Sequence, residues 1–229
     1  MQARTDPNNE PGMGQLWPLV LLAVVCVAIE CVLTAADWGF LEAPSLRRRV
    51  VENFGFWPGL LRGWTPNYDT QPYLMFFSYS FLHGGLWHLA VNMITLWSLG
   101  RAVIARVSPV GFALVYAAST LGGAVFFGVL APTLQPMVGA SGALFGLAGA
   151  VLAWNYVDRY SGRQRLWPVA RAVIMLIALN VVLWWAMAGQ LAWETHLGGF
   201  VAGWFMAMLV DPRGQDLAPP PDQNWQDQD

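Results

Sequence analysis

The sequence predicts an all-α polytopic membrane protein, and two observations carry this prediction. Of its 229 residues, 56% are hydrophobic and only 11% are charged, whereas about 25% of the residues of a soluble domain are charged. Apolar runs close to the length that a helix needs to cross a bilayer also recur along the chain. Together these features predict a bundle of six transmembrane helices.

Six apolar segments are interpreted as the spans. They are Trp17 to Ala36, Phe76 to Val103, Pro109 to Leu130, Ser141 to Tyr156, Pro168 to Ala188 and Leu191 to Val210. The first segment could be mistaken for a secretory signal, but it lacks a strong basic flank and a small-residue cleavage site, so it is predicted to span the membrane.

The remaining stretches are a long first loop and two polar tails. The loop, 37–71, carries the triplet Arg47 to Arg49 and many aromatic residues, which predicts a position in the membrane interface. A short polar tail over 1–16 precedes the six-helix domain over 17–210. The tail over 211–229 is rich in Pro, Gln and Asp and is predicted to be disordered.

The placement of arginine predicts the orientation. With six spans, the side that holds both termini receives Arg4, Arg101, Arg106, Arg159, Arg163, Arg165, Arg171 and Arg213, and the other side receives Arg47, Arg48, Arg49 and Arg62. This asymmetry predicts cytoplasmic termini.

A net charge of −2 gives no indication of a nucleic-acid partner. Without transit-peptide character at the N-terminus, the plasma membrane of a bacterium is the predicted location.

All three histidines, His83, His88 and His196, lie in strongly apolar stretches, and so does Ser141. A polar group in hydrocarbon costs several kcal/mol unless it is paired or faces a wet cavity, so these residues are functional candidates. His83 is interpreted as bonding to loop backbone or water. Cys26 and Cys31 form no metal motif and are interpreted as packing residues. No metal or cofactor is therefore expected.

The span order predicts that the other candidates meet. Spans two, four and six run in the same direction, so the early parts of each lie at similar depths. His88 and Asn92 lie early in span two, Ser141 begins span four, and His196 lies early in span six. A 16-residue fourth span would extend only about 24 Å, less than the hydrocarbon thickness of roughly 30 Å. This shortfall predicts a submerged serine in a wet depression.

Small residues predict that spans four and six approach closely. Gly142 and Gly146 are four residues apart, as are Gly199 and Gly203. This spacing lets membrane helices pack backbone against backbone. For the glycines alone, packing is as good an interpretation as a functional one.

These residue types suit acyl transfer. Ser141 would be the nucleophile, and His196 would take its proton and return it to the leaving amine. His88 and Asn92 share one helical face and, with the backbone N–H of Ser141 at a helix start, would stabilise the oxyanion. An acidic third member is not expected, so the sequence predicts a Ser–His dyad.

Three motifs carry a resemblance to a known family. They are His83-Gly-Gly-Leu-Trp-His88-Leu-Ala-Val-Asn92, Gly139-Ala-Ser141-Gly142, and His196-Leu-Gly-Gly199 with Gly203. In this order, each in its own span, they resemble the rhomboid family of intramembrane serine proteases.

The resemblance implies a rhomboid-like bundle and an endopeptidase that cleaves transmembrane segments of other membrane proteins. It implies that Ser141 is the nucleophile and His196 the base, that His88 and Asn92 complete the oxyanion hole, and that Phe145 stacks beneath His196. The Trp-Arg pair common in the first loop of relatives is missing, and Leu74-Met75 occupies roughly those positions.

Two other classes of function stay open. A catalytically silent rhomboid-like protein would bind membrane helices without cutting them, but such relatives commonly lack the serine or the histidine. A transporter with broken helices would fit a short fourth span, but it predicts pseudo-symmetric halves, which this sequence does not have.

Overall fold

The structure, a computed structural model, describes residues 11–132 and 134–210, and within them the regular structure is helical apart from one isolated bridge. The α-helices are α1 (Trp17–Asp37), α2 (Leu46–Phe54), α3 (Gln71–Ser78), α4 (Leu86–Leu130), α5 (Ser141–Ser161), α6 (Trp167–Ala186) and α7 (Trp193–Leu209). Short 3₁₀ turns occupy Met13–Gln15, Pro58–Arg62 and Tyr79–Phe81. Residues 1–10 and the predicted disordered tail over 211–229, with Arg4 and Arg213, lie outside the described residues.

Three of the described helices, α1, α4 and α6, are long and apolar enough to cross a membrane. An all-α membrane protein is therefore the fold class of the chain. The predicted first, fifth and sixth spans coincide with α1, α6 and α7 to within two residues at every end.

The predicted second and third spans lie in one element, α4, which is bent near its middle. Ser108 has non-helical dihedral angles, φ 77° and ψ 168°, and is followed by Pro109. A left-handed residue before a proline interrupts the hydrogen-bond ladder of a helix. Residues 86–107 and 109–130 are therefore two arms, divided where the sequence predicts a connection.

The predicted start of the second span at Phe76 is wrong. Residues 71–78 form the separate helix α3, a 3₁₀ turn follows, and the chain then extends as far as Gly85. Gly85 has φ 122°, a conformation that only glycine adopts easily, so α4 begins at Leu86. A continuous apolar run concealed this break.

The predicted end of the fourth span at Tyr156 is also wrong. Helix α5 continues to Ser161 and has 21 residues, which extend it to roughly 31 Å. The charged residues lie inside this helix, and Asp158 accepts two hydrogen bonds from Arg106 at 2.7 and 2.9 Å. The depth of Ser141 therefore does not follow from a short helix.

The core lies where α4, α5 and α7 meet, while α6 lies beside it. Phe112, Val115, Leu147, Ala150 and Ala207 are fully buried there. The indole N–H of Trp154 in α5 donates to the carbonyl of Ala207 in α7 at 2.9 Å. In α6 the buried residue is Val169, so most of this helix lies outside the packed core.

The first loop is structured and packs on the core. Phe56 is fully buried and packs edge-on against the rings of Phe76, Tyr79 and Phe127. Arg62 donates to the carbonyl of Ala131 at 2.9 Å. The loop is thereby held against the segment that leads into α5.

Candidate active site

Ser141 is the first residue of α5, and the segment before it is fixed by backbone hydrogen bonds. Met137 and Phe56 exchange two such bonds, at 2.9 and 3.0 Å, and the N–H of Gly139 donates to the carbonyl of Tyr79 at 3.0 Å. The hydroxyl of Thr195 also contacts the sulfur of Met137. The serine is thus held from the first loop on one side and from α7 on the other.

Gly139 is required by both its conformation and its surroundings. Its φ is 129°, and a β-carbon built on it would lie 2.8 Å from Cε1 and 3.0 Å from Nε2 of His88. The same point lies 3.8 Å from Oγ of Ser141. The absence of a side chain at Gly139 therefore brings the imidazole of His88 close to the serine.

His196 meets Ser141 directly. Its Nε2 lies 2.9 Å from Oγ of Ser141, which is hydrogen-bond distance. The histidine, in the first turn of α7, is only 4% exposed, and the serine is half-buried. The structure therefore brings together the two residues that the sequence predicts as nucleophile and base.

This contact depends on the backbone approach of α5 and α7. A β-carbon at Gly199 would lie 1.9 Å from the carbonyl oxygen of Gly142, and one at Gly203 would lie 2.1 Å from that of Gly146. Neither position has room for another side chain. The four glycines thus set the separation of the helices that carry Ser141 and His196.

Phe145 lies one turn after the serine and stacks on the imidazole of His196. The ring centroids are 4.2 Å apart and the planes differ by 6°. Stacking fixes the plane of the imidazole but leaves open which of its edges faces Ser141.

The other ring nitrogen of His196 has a partner that the sequence motifs do not include. Nδ1 lies 2.8 Å from Oδ1 of Asn180 in α6. Glu194, buried and two residues before His196, does not take this place among the described hydrogen bonds. A lone asparagine in an apolar span was the available signal, since such residues find partners or serve function.

His88 is held in one tautomer by the turn before α4. The N–H of Gly84 donates to Nδ1 of His88 at 3.3 Å, so Nδ1 carries the lone pair. A neutral imidazole has one N–H, which therefore lies on Nε2, the atom close to Gly139. His88 can thus donate a hydrogen bond toward the space beside Ser141.

Asn92 lies one turn after His88 on the same face and is 3% exposed. Its amide nitrogen donates to the carbonyl of His88 at 2.7 Å. Within the described part of the chain its Oδ1 has no hydrogen-bond partner, and no hydrogen bond joins Asn92 to Ser141 or His196. The amide has a second N–H, which remains available to a bound group.

The turn that holds His88 is anchored by a buried ion pair. Glu30 of α1 is fully buried, and Arg47 of α2 donates to both of its oxygens, at 2.8 and 3.0 Å. Arg47 also bonds to Asp37 at 2.5 Å and to the carbonyl of His83 at 2.9 Å. The hydrogen bond to Glu30 raises the pKa of Arg47. Glu30 therefore pairs with the first loop, which lacks the Trp-Arg pair.

The arrangement has the parts needed for nucleophilic attack on a carbonyl. An imidazole nitrogen lies at hydrogen-bond distance from a serine hydroxyl, and a second histidine is nearby as a donor. Among the described residues no cluster of three or more metal-ligating side chains was found.

Comparison with known proteins places the chain in a family. The sequence model of the rhomboid domain family matches residues 70–213. The chain is 35% identical over 129 residues to the rhomboid protease GluP of Bacillus subtilis, covering 56% of this chain and 24% of that protein. It is 31% identical over 135 residues to RHOMBOID-like protein 5 of Arabidopsis thaliana, covering 58% and 43%.

A further relative is the rhomboid-type serine protease 2 of Emericella nidulans, 29% identical over 130 residues, covering 57% of this chain and 25% of that protein. The matched region spans less than half the length of each of these relatives. Because the family model covers more than half of the chain, including Ser141 and His196, the chain belongs to the rhomboid family.

Proposed function

We propose that this chain is an intramembrane serine endopeptidase that hydrolyses a peptide bond in or near a transmembrane segment of another membrane protein. The observation that carries the proposal is the 2.9 Å contact between Nε2 of His196 and Oγ of Ser141. Relatives named as rhomboid protease and serine protease support the same class of reaction.

The proposed topology has six crossings with both termini in the cytoplasm. The crossings are α1, the two arms of α4, α5, α6 and α7. Each arm of α4 extends roughly 33 Å at 1.5 Å per residue, which is enough to cross the hydrocarbon region. The arginine asymmetry supports cytoplasmic termini, and a bacterial plasma membrane is the proposed location.

In the proposed reaction, Oγ of Ser141 attacks the substrate carbonyl while Nε2 of His196 accepts the hydroxyl proton. The tetrahedral oxyanion takes hydrogen bonds from Nε2–H of His88, from the amide of Asn92 and from the backbone N–H of Ser141, which as a first helical residue has no partner within the helix. The C–N bond then breaks, and His196 gives its proton to the leaving amine.

The second half of the reaction needs water. A water molecule attacks the acyl-serine ester while His196 accepts its proton. The ester bond then breaks to release the acid, and His196 returns the proton to Oγ of Ser141. The half-buried state of Ser141 and His88, next to the exposed Gly84, supports entry of water from the side of the turn before α4.

The test is cleavage of a model single-span substrate by the purified full chain in liposomes. We expect Ser141→Ala to abolish product and His196→Ala to lower kcat by about 10²- to 10⁴-fold, because each removes a group that acts in the transition state. Ser98→Ala, at an exposed serine of α4, is the matched control and should cut at the parent rate.

Two other outcomes of this cleavage assay would count against the proposal. Product from Ser141→Ala or His196→Ala at the parent rate would contradict the proposed mechanism. Binding of the substrate helix by the parent chain without any cleavage would favour the silent binding protein.

A further inference from the structure

Helix α6 faces α7 across an apolar cavity of about 460 Å³. Val173, Leu176 and Ile177 of α6 line it on one side, and Leu197 and Phe200 of α7 line it on the other. Apart from two tryptophans, the polar side chains in its wall are Asn180 and His196. A polar amide in such surroundings costs free energy unless it is paired.

Asn180 pairs with His196, and the chemistry of the two atoms fixes the proton between them. An amide oxygen can only accept, so Nδ1 of His196 must donate across the 2.8 Å contact. A neutral imidazole has one N–H. Nε2 therefore carries a lone pair, and it faces the hydroxyl of Ser141 at 2.9 Å.

We propose that Asn180 is a positioning residue for catalysis, because its amide oxygen holds His196 in the tautomer and ring orientation that accept the proton of Ser141. The inference rests on the proposed peptidase function. It adds a third group, supplied by α6, to the serine and histidine of α5 and α7.

Phe145 and Asn180 constrain different motions of the same ring. The stacked phenyl ring, with its plane within 6° of the imidazole plane, resists tilting. It does not prevent a half-turn about the bond that joins the ring to its β-carbon, which would exchange each nitrogen for a carbon. The hydrogen bond that His196 donates to Asn180 opposes that half-turn, because a flipped ring would leave the amide oxygen unpaired.

The position of α6 therefore bears on the chemistry. Helix α6 packs loosely, because Val169 is its one buried residue in the described structure. The hydrogen bond between His196 and Asn180 links this helix directly to the reacting pair. The bond forms only while α6 lies next to α7. Loss of the bond should lower the rate of the chemical step and leave substrate binding unchanged.

The experiment compares Asn180→Leu, Asn180→Ala and Asn180→Asp in the full chain, with kcat and KM measured on the single-span substrate. Leucine matches the shape of asparagine but accepts no hydrogen bond, whereas aspartate keeps an acceptor. We expect kcat to fall about ten- to hundredfold in the Leu and Ala variants, with KM within about twofold of the parent. Asn180→Asp should recover most of kcat.

Asn155→Leu is the matched control. Asn155 bonds to the carbonyl of Val151 in its own helix at 2.8 Å and is exposed, so the same substitution there should leave both constants unchanged. Thermal unfolding of each variant in detergent identifies any that fail to fold.

Three results would overturn the inference. A parent-like kcat in Asn180→Leu would show that the hydrogen bond does not matter for the rate. Equal losses of kcat in the Leu and Asp variants would indicate a packing role for Asn180. A rise in KM at constant kcat would indicate that Asn180 contacts the substrate. Ser141→Ala is run in parallel. If it is inactive while Asn180→Leu is not impaired, only the role of Asn180 fails, and if it cleaves, the proposed function fails.

Discussion

Helices α5 and α7 contrast with α6 in how each is held. The backbones of α5 and α7 touch: a β-carbon at Gly149 would lie 2.4 Å from the carbonyl oxygen of Phe200, and one at Gly199 would lie 1.9 Å from that of Gly142. Because the two backbones are in direct contact, α5 and α7 cannot slide past each other without a clash. Helix α6 buries the single residue Val169 and faces a cavity.

Under the proposed function, this difference separates two requirements of catalysis. Ser141 and His196 must keep one distance, and the glycine contacts of α5 and α7 provide it. Opening a path for a substrate helix requires an element with little buried surface, since such elements open at the lowest free energy. Helix α6 meets this description in the described structure.

The largest loss of stability is expected from Arg47→Ala, which removes a contact between α2 and α1. It would leave the fully buried carboxylate of Glu30 without its charged partner, which typically costs about 3–5 kcal/mol. Because Arg47 also bonds to the carbonyl of His83, the turn that holds His88 would loosen too. Unfolding in denaturant and kcat should both report the loss.

Arg48→Ala is the control for that variant. Arg48 is 75% exposed and lies 3.7 Å from Glu52, and surface pairs of this kind are worth about 0–1 kcal/mol. Equal stability of the two variants would mean that the pair of Arg47 with Glu30 does not hold the first loop.

A smaller loss of stability is expected from Gly199→Ala, which tests the packing of α7 against α5. The added methyl group would meet the backbone of α5, and overpacking of this kind costs about 1–3 kcal/mol. Val182→Ala, at a residue of α6 that is 59% exposed, should change the unfolding midpoint little. If the α6 variant were the more destabilised of the two, the contrast between the helices would be wrong.

The sequence predicted the features that depend on local residue patterns. Long apolar runs located α1, α6 and α7, and the spacing of Gly142, Gly146, Gly199 and Gly203 indicated a close approach that the structure contains. The errors of the sequence prediction lie at helix ends. The apolar run through Phe76 hid the break at Gly85, and α5 continues past its predicted end, with Asp158 inside the helix and paired with Arg106.

Partners across helices were the least predictable part of the site. Nothing in the local sequence says that Asn180 meets His196 or that Arg47 of the first loop reaches Glu30, because such pairs are set by how helices turn toward one another. An isolated polar residue in an apolar span does predict that some partner exists, and both Asn180 and Glu30 have one.

The central claim is that Ser141 is a nucleophile whose proton His196 accepts, and covalent labelling tests it most directly. The purified chain is treated with a fluorophosphonate, and the modified residue is located by mass spectrometry. We expect the adduct on Ser141, with the labelling rate lowered about 10²-fold or more in His196→Ala. An adduct on another residue, or equal labelling of Ser141 with and without His196, would contradict the claim.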